Sequence, residues 1–154
     1  METLQLKPLI ARYMTASFNV NRIMSARLGK LMPENLTADQ HQTLCYIHER
    51  GMCTSSELAD TFFVGKSSIT AIVKRLVEKD LIERIPDERD RRVTYLALTP
   101  SGKQLMLDVQ LKIEQLLARY IGHFQETEIL AFIETFEKLA RLLISEEEEV
   151  TENS

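Results

Sequence analysis

Gly65-Lys66-Ser67-Ser68-Ile69-Thr70-Ala71-Ile72-Val73-Lys74-Arg75-Leu76-Val77, with Asp87-Glu88-Arg89-Asp90-Arg91-Arg92 after it, is the stretch that decides the fold. Ile69, Ile72, Val73, Leu76 and Val77 recur at three- and four-residue spacing, which is one apolar face of a helix. The opposite face then carries Ser67, Ser68, Thr70, Ala71, Lys74 and Arg75. Asp80 ends this helix where a glycine would be the easier residue, so some backbone strain is expected there. Beyond it the period changes. Ile82 and Ile85 lead to Pro86 and the charged run, and Val93-Thr94-Tyr95-Leu96-Ala97-Leu98 is β-branched and aromatic. Two short strands around a charged turn make a hairpin.

Upstream, Thr54-Ser55-Ser56-Glu57 has the form of a capping box and opens a short helix with Leu58, Ala59 and Phe62 on its apolar side. Only a tight turn at Val64–Ser67 separates it from the next helix. A second capping box, Thr37-Ala38-Asp39-Gln40, opens a helix carrying Leu44, Tyr46 and Ile47, which Gly51 closes as a left-handed cap. Helix, short helix, tight turn, helix and hairpin is the order of a winged helix-turn-helix. Outside this centre, Leu6 to Met32 reads as one long amphipathic helix stopped by Pro33. Thr99-Pro100 starts another, which reaches Gly122. A last helix runs from about Glu126 to Ile144, and a glutamate tail follows that should be frayed and solvated. The expected fold is mostly α with a small β wing. Residues 1–33 form an N-terminal dimerisation helix, 34–100 the winged helix-turn-helix, 101–145 the C-terminal dimerisation helices and 146–154 an acidic tail, in one compact chain.

The exposed face of the Gly65–Lys79 helix has short hydrogen-bonding groups near its start and cations further along. Such a helix fits the DNA major groove, because small side chains let its backbone approach the base edges. Taken alone, a Ser/Thr/Lys face is more often simply solvated. The hairpin tip changes the balance, since Arg89, Arg91 and Arg92 there have no core to serve. Arginine suits the negative potential of a narrow minor groove, and the interleaved Asp87 and Asp90 can hold an arginine by a bidentate pair.

Composition argues the other way at first sight. The 154 residues carry a net charge of −4. By region the charge is +2 over residues 1–53, +1 over 54–103 and −7 over 104–154, so the acid is concentrated in the last third. Whole-chain charge says little about a local footprint. No apolar run is long enough for a membrane span, and the N-terminus lacks the layout of a secretory signal. Two cysteines are too few for a disulfide framework or a zinc site, so a reducing, cytoplasmic setting is expected. No nucleophile motif or phosphate loop is visible, and neither an enzyme, a cofactor nor a metal is expected. His41, His48 and His123 read as surface residues.

Ser56-Glu57-Leu58-Ala59, Lys66-Ser67-Ser68-Ile69-Thr70, Arg75-Leu76, Asp87–Arg92 and Leu98-Thr99-Pro100-Ser101-Gly102 together resemble the MarR family of bacterial transcriptional regulators. The resemblance spans nearly the whole chain. It implies a homodimer on a pseudo-palindromic site in double-stranded DNA, usually repressing nearby genes. It also implies recognition helices in the major groove and wing arginines in the minor groove. On that basis Lys66, Ser67, Ser68, Thr70, Ala71, Lys74 and Arg75 form the recognition helix, and Asp87, Arg89, Arg91 and Arg92 the wing. Asp87 would orient Arg89, and Arg92 would brace the wing or reach the DNA backbone. Ala71 departs from the family, many members of which carry a long polar residue there. Family members often respond to small aromatic or anionic effectors or to oxidants.

The end helices are expected to form the dimer. The last helix is apolar over more than the ~100° stripe that one packing face needs. Leu6, Leu9, Ile10 and Tyr13 of the first helix and Ile133, Phe136, Leu139 and Leu143 of the last are the expected interface. Cys53, in a loop, is the more exposed cysteine and the candidate for an alternative, thiol-based oxidant sensor; Cys45 reads as a core residue. A helical interaction module without DNA is the other alternative, and the wing arginines discriminate it.

Overall fold

The computed structural model describes residues 3–62 and 64–152. In chain order the elements are α1 (Thr3–Leu31), α2 (Ala38–Arg50), α3 (Ser55–Phe62), α4 (Lys66–Glu78), β1 (Ile82–Pro86), β2 (Thr94–Leu98), α5 (Pro100–Ile121) and α6 (Glu126–Glu152). The fold is mostly helical with one small antiparallel sheet, as expected. The chain divides into two compact units, Met1–Ile113 and Glu114–Ser154.

The first unit contains the core. Leu44, Ile47, Leu58, Ile69, Leu76 and Ile82 are buried in it, so α2, α3, α4 and β1 each contribute their apolar face. Both capping boxes form. Thr37 Oγ1 accepts from the Gln40 amide at 3.2 Å while Gln40 Oε1 accepts from the Thr37 amide at 3.3 Å. Thr54 and Glu57 make the same exchange, each bond 3.2 Å. Each box satisfies two amides that a helix start otherwise leaves open. Gly51 has positive φ as expected, but its φ 75°, ψ −51° lies outside the left-handed helical well. The close of α2 is therefore an i→i−3 bond from Gly51 N–H to the His48 carbonyl at 3.3 Å rather than a left-handed helical cap.

Asp80 does adopt a left-handed conformation, φ 58°. Leu81 N–H reaches the Leu76 carbonyl at 2.9 Å and Asp80 N–H the Val77 carbonyl at 3.0 Å, the two bonds of a Schellman close. The close turns the chain directly from α4 into β1. Ile82 pairs with Leu98, Arg84 with Leu96 and Pro86 with Thr94, which fixes the hairpin register. Cys53 adds an isolated bridge to β2, with its amide on the Leu96 carbonyl at 3.1 Å and the reverse bond at 2.7 Å.

In the second unit α5 ends in a turn and α6 follows, its first amides supported by Gln125 N–H on Glu128 Oε2 at 2.9 Å. The expected break after Ile144 does not occur, and α6 continues to Glu152. Glutamate is a good helix former, and Ser145 bonds back to the Arg141 and Leu142 carbonyls without interrupting the ladder. Helix propensity thus outweighs the unfavourable placement of glutamates at the negative end of a helix.

Candidate nucleic-acid interface

α3 and α4 form the helix-turn-helix. Val64 N–H reaches back to the Ala59 carbonyl at 3.3 Å, which tightens the turn before α4. Gly65 is the N-cap of α4 and brings no side chain to its first turn. Ile69, Val73 and Leu76 are buried, so the helix is held from one side. Lys66, Ser67, Ser68, Thr70, Ala71, Lys74 and Arg75 all lie on the exposed side, as the spacing predicts. Among the described residues, no hydrogen bond or ion pair engages the side chains of Lys66, Ser67, Ser68, Lys74 or Arg75. Thr70 differs, because its hydroxyl donates to the Lys66 carbonyl at 2.8 Å. Lys79, just past α4, is tied inward by a 3.1 Å bond from Nζ to Gln40 Oε1.

The wing loop is built by its two aspartates. Asp87 N–H and the Val93 carbonyl close the loop at 2.9 Å, and Val93 N–H returns to the Asp90 carbonyl at 3.0 Å. The Asp87 carboxylate accepts the backbone amides of Arg89, at 2.8 Å, and Asp90, at 3.4 Å, and also the Tyr95 hydroxyl. These donors, the Arg89 amide foremost, hold the Asp87 carboxyl below the usual carboxylate range, and the same contact raises Tyr95. Asp87 therefore positions the Arg89 backbone, and among the described residues it does not clamp the Arg89 guanidinium. The bidentate pair belongs to Asp90 and Arg92, at 3.2 Å to Nε and 3.3 Å to Nη2. It lowers the Asp90 pKa, chiefly through the Arg92 side chain. Arg92 side-chain exposure is 91%, so the pair sets geometry and adds little stability. Arg89 and Arg91 carry no side-chain partner among the described residues. Arg84 on β1 is an exposed cation in the same state that sequence reasoning passed over, because β1 shows no clean in-and-out alternation to mark it.

The MarR family model matches residues 36–94, which holds the whole helix-turn-helix and most of the hairpin. The uncharacterised HTH-type transcriptional regulator YsmB of Bacillus subtilis is 30% identical over 104 residues, covering 68% of this chain and 71% of that protein. The chain belongs to the MarR family. It is therefore a DNA-binding transcriptional regulator with a helix-turn-helix, and not an enzyme. The HTH-type transcriptional repressor MdtR of B. subtilis is 29% identical over 128 residues, 83% of either chain. The same fold occurs in a mutant MarR from E. coli complexed with operator DNA, with TM-score 0.71, 24% identity, and 90% and 99% of the two chains covered.

Outside α4 and the wing, this MarR-family chain leaves two apolar helix faces uncovered. On α1, Leu6, Leu9, Ile10 and Tyr13 are 41–53% exposed. On α6, Ile133, Phe136 and Leu143 are exposed and Leu139 is half-buried, with Phe132 stacked on Phe136 at 5.4 Å between ring centroids. No helix among the described residues is long and apolar enough to cross a membrane, and no cluster of His, Cys, Asp or Glu among them could hold a metal ion.

Two sequence expectations fail here. Cys53 is not an exposed loop thiol but a core residue with 1% exposure, sealed by its bridge to β2. Burial, with Glu57 adding to it, pushes its thiol up to about 11, the opposite of what thiolate chemistry needs. Cys45 is the less buried of the two, and burial raises its thiol as well. His41 is not a surface residue either. It is buried, its Nε2 lies 3.4 Å from the Met106 carbonyl, and burial lowers its pKa.

Proposed function

We propose that the chain acts as a homodimer on a pseudo-palindromic operator and represses the genes beside it until a small aromatic or anionic effector releases it. Each α4 would lie in a major groove with Ser67, Ser68, Thr70 and Lys74 toward bases and phosphates. Arg89 would enter the adjacent minor groove, and Arg92, braced by Asp90, would steady the wing. The observation that carries this reading is the set of cations on the outer side of α4 and at the wing tip with no partner among the described residues. The uncovered apolar faces of α1 and α6 support a bundle shared between subunits. Such a dimer would set the two reading helices about one DNA turn, ~34 Å, apart. MdtR is named a repressor, which favours repression over activation here. Work on chromosomal DNA would place the protein in the cytoplasm. Oxidant sensing at Cys53 has no support in its burial.

The test is a gel shift on DNA selected from a random pool, with light scattering on the same samples. Changing Lys74 and Arg89 together to Ala should abolish the shift and leave the dimer intact. A monomer at micromolar concentration, or undiminished binding by the double variant, would overturn the reading.

A further inference from the structure

Ala71 stands at the centre of the outer face of α4, one turn after Ser67 and one turn before Arg75, and it is exposed. It offers a single methyl. Its neighbour Thr70 is exposed too, but its hydroxyl proton is already given to the Lys66 carbonyl at 2.8 Å. What remains of Thr70 as an outward group is largely its own methyl. The middle of the reading face is thus two methyls in a field of polar side chains, with the unengaged Ser67 and Ser68 on one side and Lys74 and Arg75 on the other. In the major groove only thymine presents a methyl, on C5, and Ala and Thr methyls are the groups that pack on it.

We propose that Thr70 and Ala71 read thymine C5-methyl groups, so that each operator half-site carries an obligatory T under the middle of α4. The polar and cationic groups around them supply phosphate contacts and register, and the two methyls supply discrimination at that step. The departure at Ala71 from a long polar side chain then changes the kind of base readout rather than weakening it. This rests on the DNA-reading role proposed above.

The test uses the full chain and the operator recovered from the random pool, with binding followed by fluorescence anisotropy at one fixed salt concentration. Each T of a half-site is replaced singly by deoxyuridine, which removes the methyl and leaves every hydrogen-bonding edge unchanged. One T position per half-site should weaken binding about fourfold per methyl removed, and symmetric replacement in both half-sites about sixteenfold. Thr70→Ser, which deletes the protein methyl, should shrink the T-over-U ratio at that position. Thr70→Val, which keeps a methyl and deletes the hydroxyl, should restore the ratio. Circular dichroism on each variant checks that α4 is intact. Tight binding with no sensitivity to uracil at any position would overturn the inference while the DNA-binding role stood. A ratio kept in the Ser variant and lost in the Val variant would assign the readout to the hydroxyl and overturn it as well. No binding to any DNA at low salt would remove both readings together.

Discussion

Gly102→Ala should destabilise this protein although it replaces glycine by the best helix former inside a helix. A Cβ built on Gly102 would run into the backbone of Leu81, deep within contact of the carbonyl oxygen and 2.8 Å from its carbon and 3.1 Å from its Cα. No side chain can move to make room, because the obstacle is main chain. That carbonyl is itself fixed, since it accepts the Thr99 amide at 3.1 Å. Next to it, the Thr99 hydroxyl donates to the Asp80 carbonyl at 2.6 Å and accepts the Gly102 amide at 3.0 Å. The start of α5 is thereby stitched to the corner between α4 and β1. Relieving the clash requires these segments to part, at a strain of about 1–3 kcal/mol. Parting them also weakens the two bonds of Thr99 to the corner, each worth about 1 kcal/mol. The gain in helix propensity offsets only about 1 kcal/mol of this.

The expected net loss is about 2–4 kcal/mol, or a fall in Tm of about 5–15 °C for a chain of this size. Urea unfolding followed by circular dichroism, at one protein concentration to hold any association equilibrium constant, measures it. Ser101→Ala is the control, because Ser101 is exposed in the same helical turn and its replacement should stay within about 0.5 kcal/mol. Propensity alone predicts that Gly102→Ala stabilises, so the two accounts differ in sign. A variant as stable as the parent would refute the close approach of α5 to Leu81.

Asp80→Gly should raise stability by up to about 1 kcal/mol in the same assay, since glycine takes the φ of 58° without a side-chain penalty. Burial keeps His41 below its ordinary 6.5, so the unfolded chain binds a proton that the folded chain refuses. Stability should therefore be full above about pH 6.5 and fall as pH drops through that value, and His41→Gln should flatten this part of the pH profile of unfolding. A thiol reagent at pH 8 should label Cys45 first and Cys53 only as the chain unfolds, because the Cys53 thiol is buried and raised to about 11; equal rates at the two would count against the burial.

Local rules made much of this fold readable. Thr37 with Gln40 and Thr54 with Glu57 announce helix starts because a capping box is completed within four residues. The apolar face of α4, the strain at Asp80 and the arginine-tipped hairpin are equally local. What stayed hidden depends on partners distant in sequence. Cys53 looks like a loop cysteine until β2 returns to pair with it at Leu96. His41 looks solvated until α5 delivers the Met106 carbonyl. Gly102 was legible as part of a motif, but the reason for a glycine there is Leu81, which the chain leaves long before α5 begins. At the wing, the alternation of Asp and Arg announced pairing without saying which acid meets which base. The backbone decides that, because Asp87 is captured by amides while Asp90 meets the Arg92 guanidinium.

That division of labour bears on how a chain of net charge −4 can read DNA. Screening limits the reach of a charge to about 8 Å at physiological salt, so the groups at the reading surface matter more than the total. A wing carrying as many carboxylates as this one could have cancelled its own cations. Asp87 pairs with none of them, because its oxygens are engaged by the Arg89 and Asp90 amides and the Tyr95 hydroxyl, neutral donors that hold it ionised. Asp90 neutralises Arg92, which becomes a brace. Arg89 and Arg91 keep their full charge, held on a loop whose shape the carboxylates impose. The acids at the wing tip therefore build the element that presents the cations, and at Arg89 they do so without a guanidinium contact. Asp87→Asn should show this. The amide oxygen still accepts but with less strength than a carboxylate, so DNA affinity should fall through a looser wing even as the local charge becomes more positive. Simple electrostatics predicts tighter binding for the same change, and tighter binding would refute the structural role of Asp87.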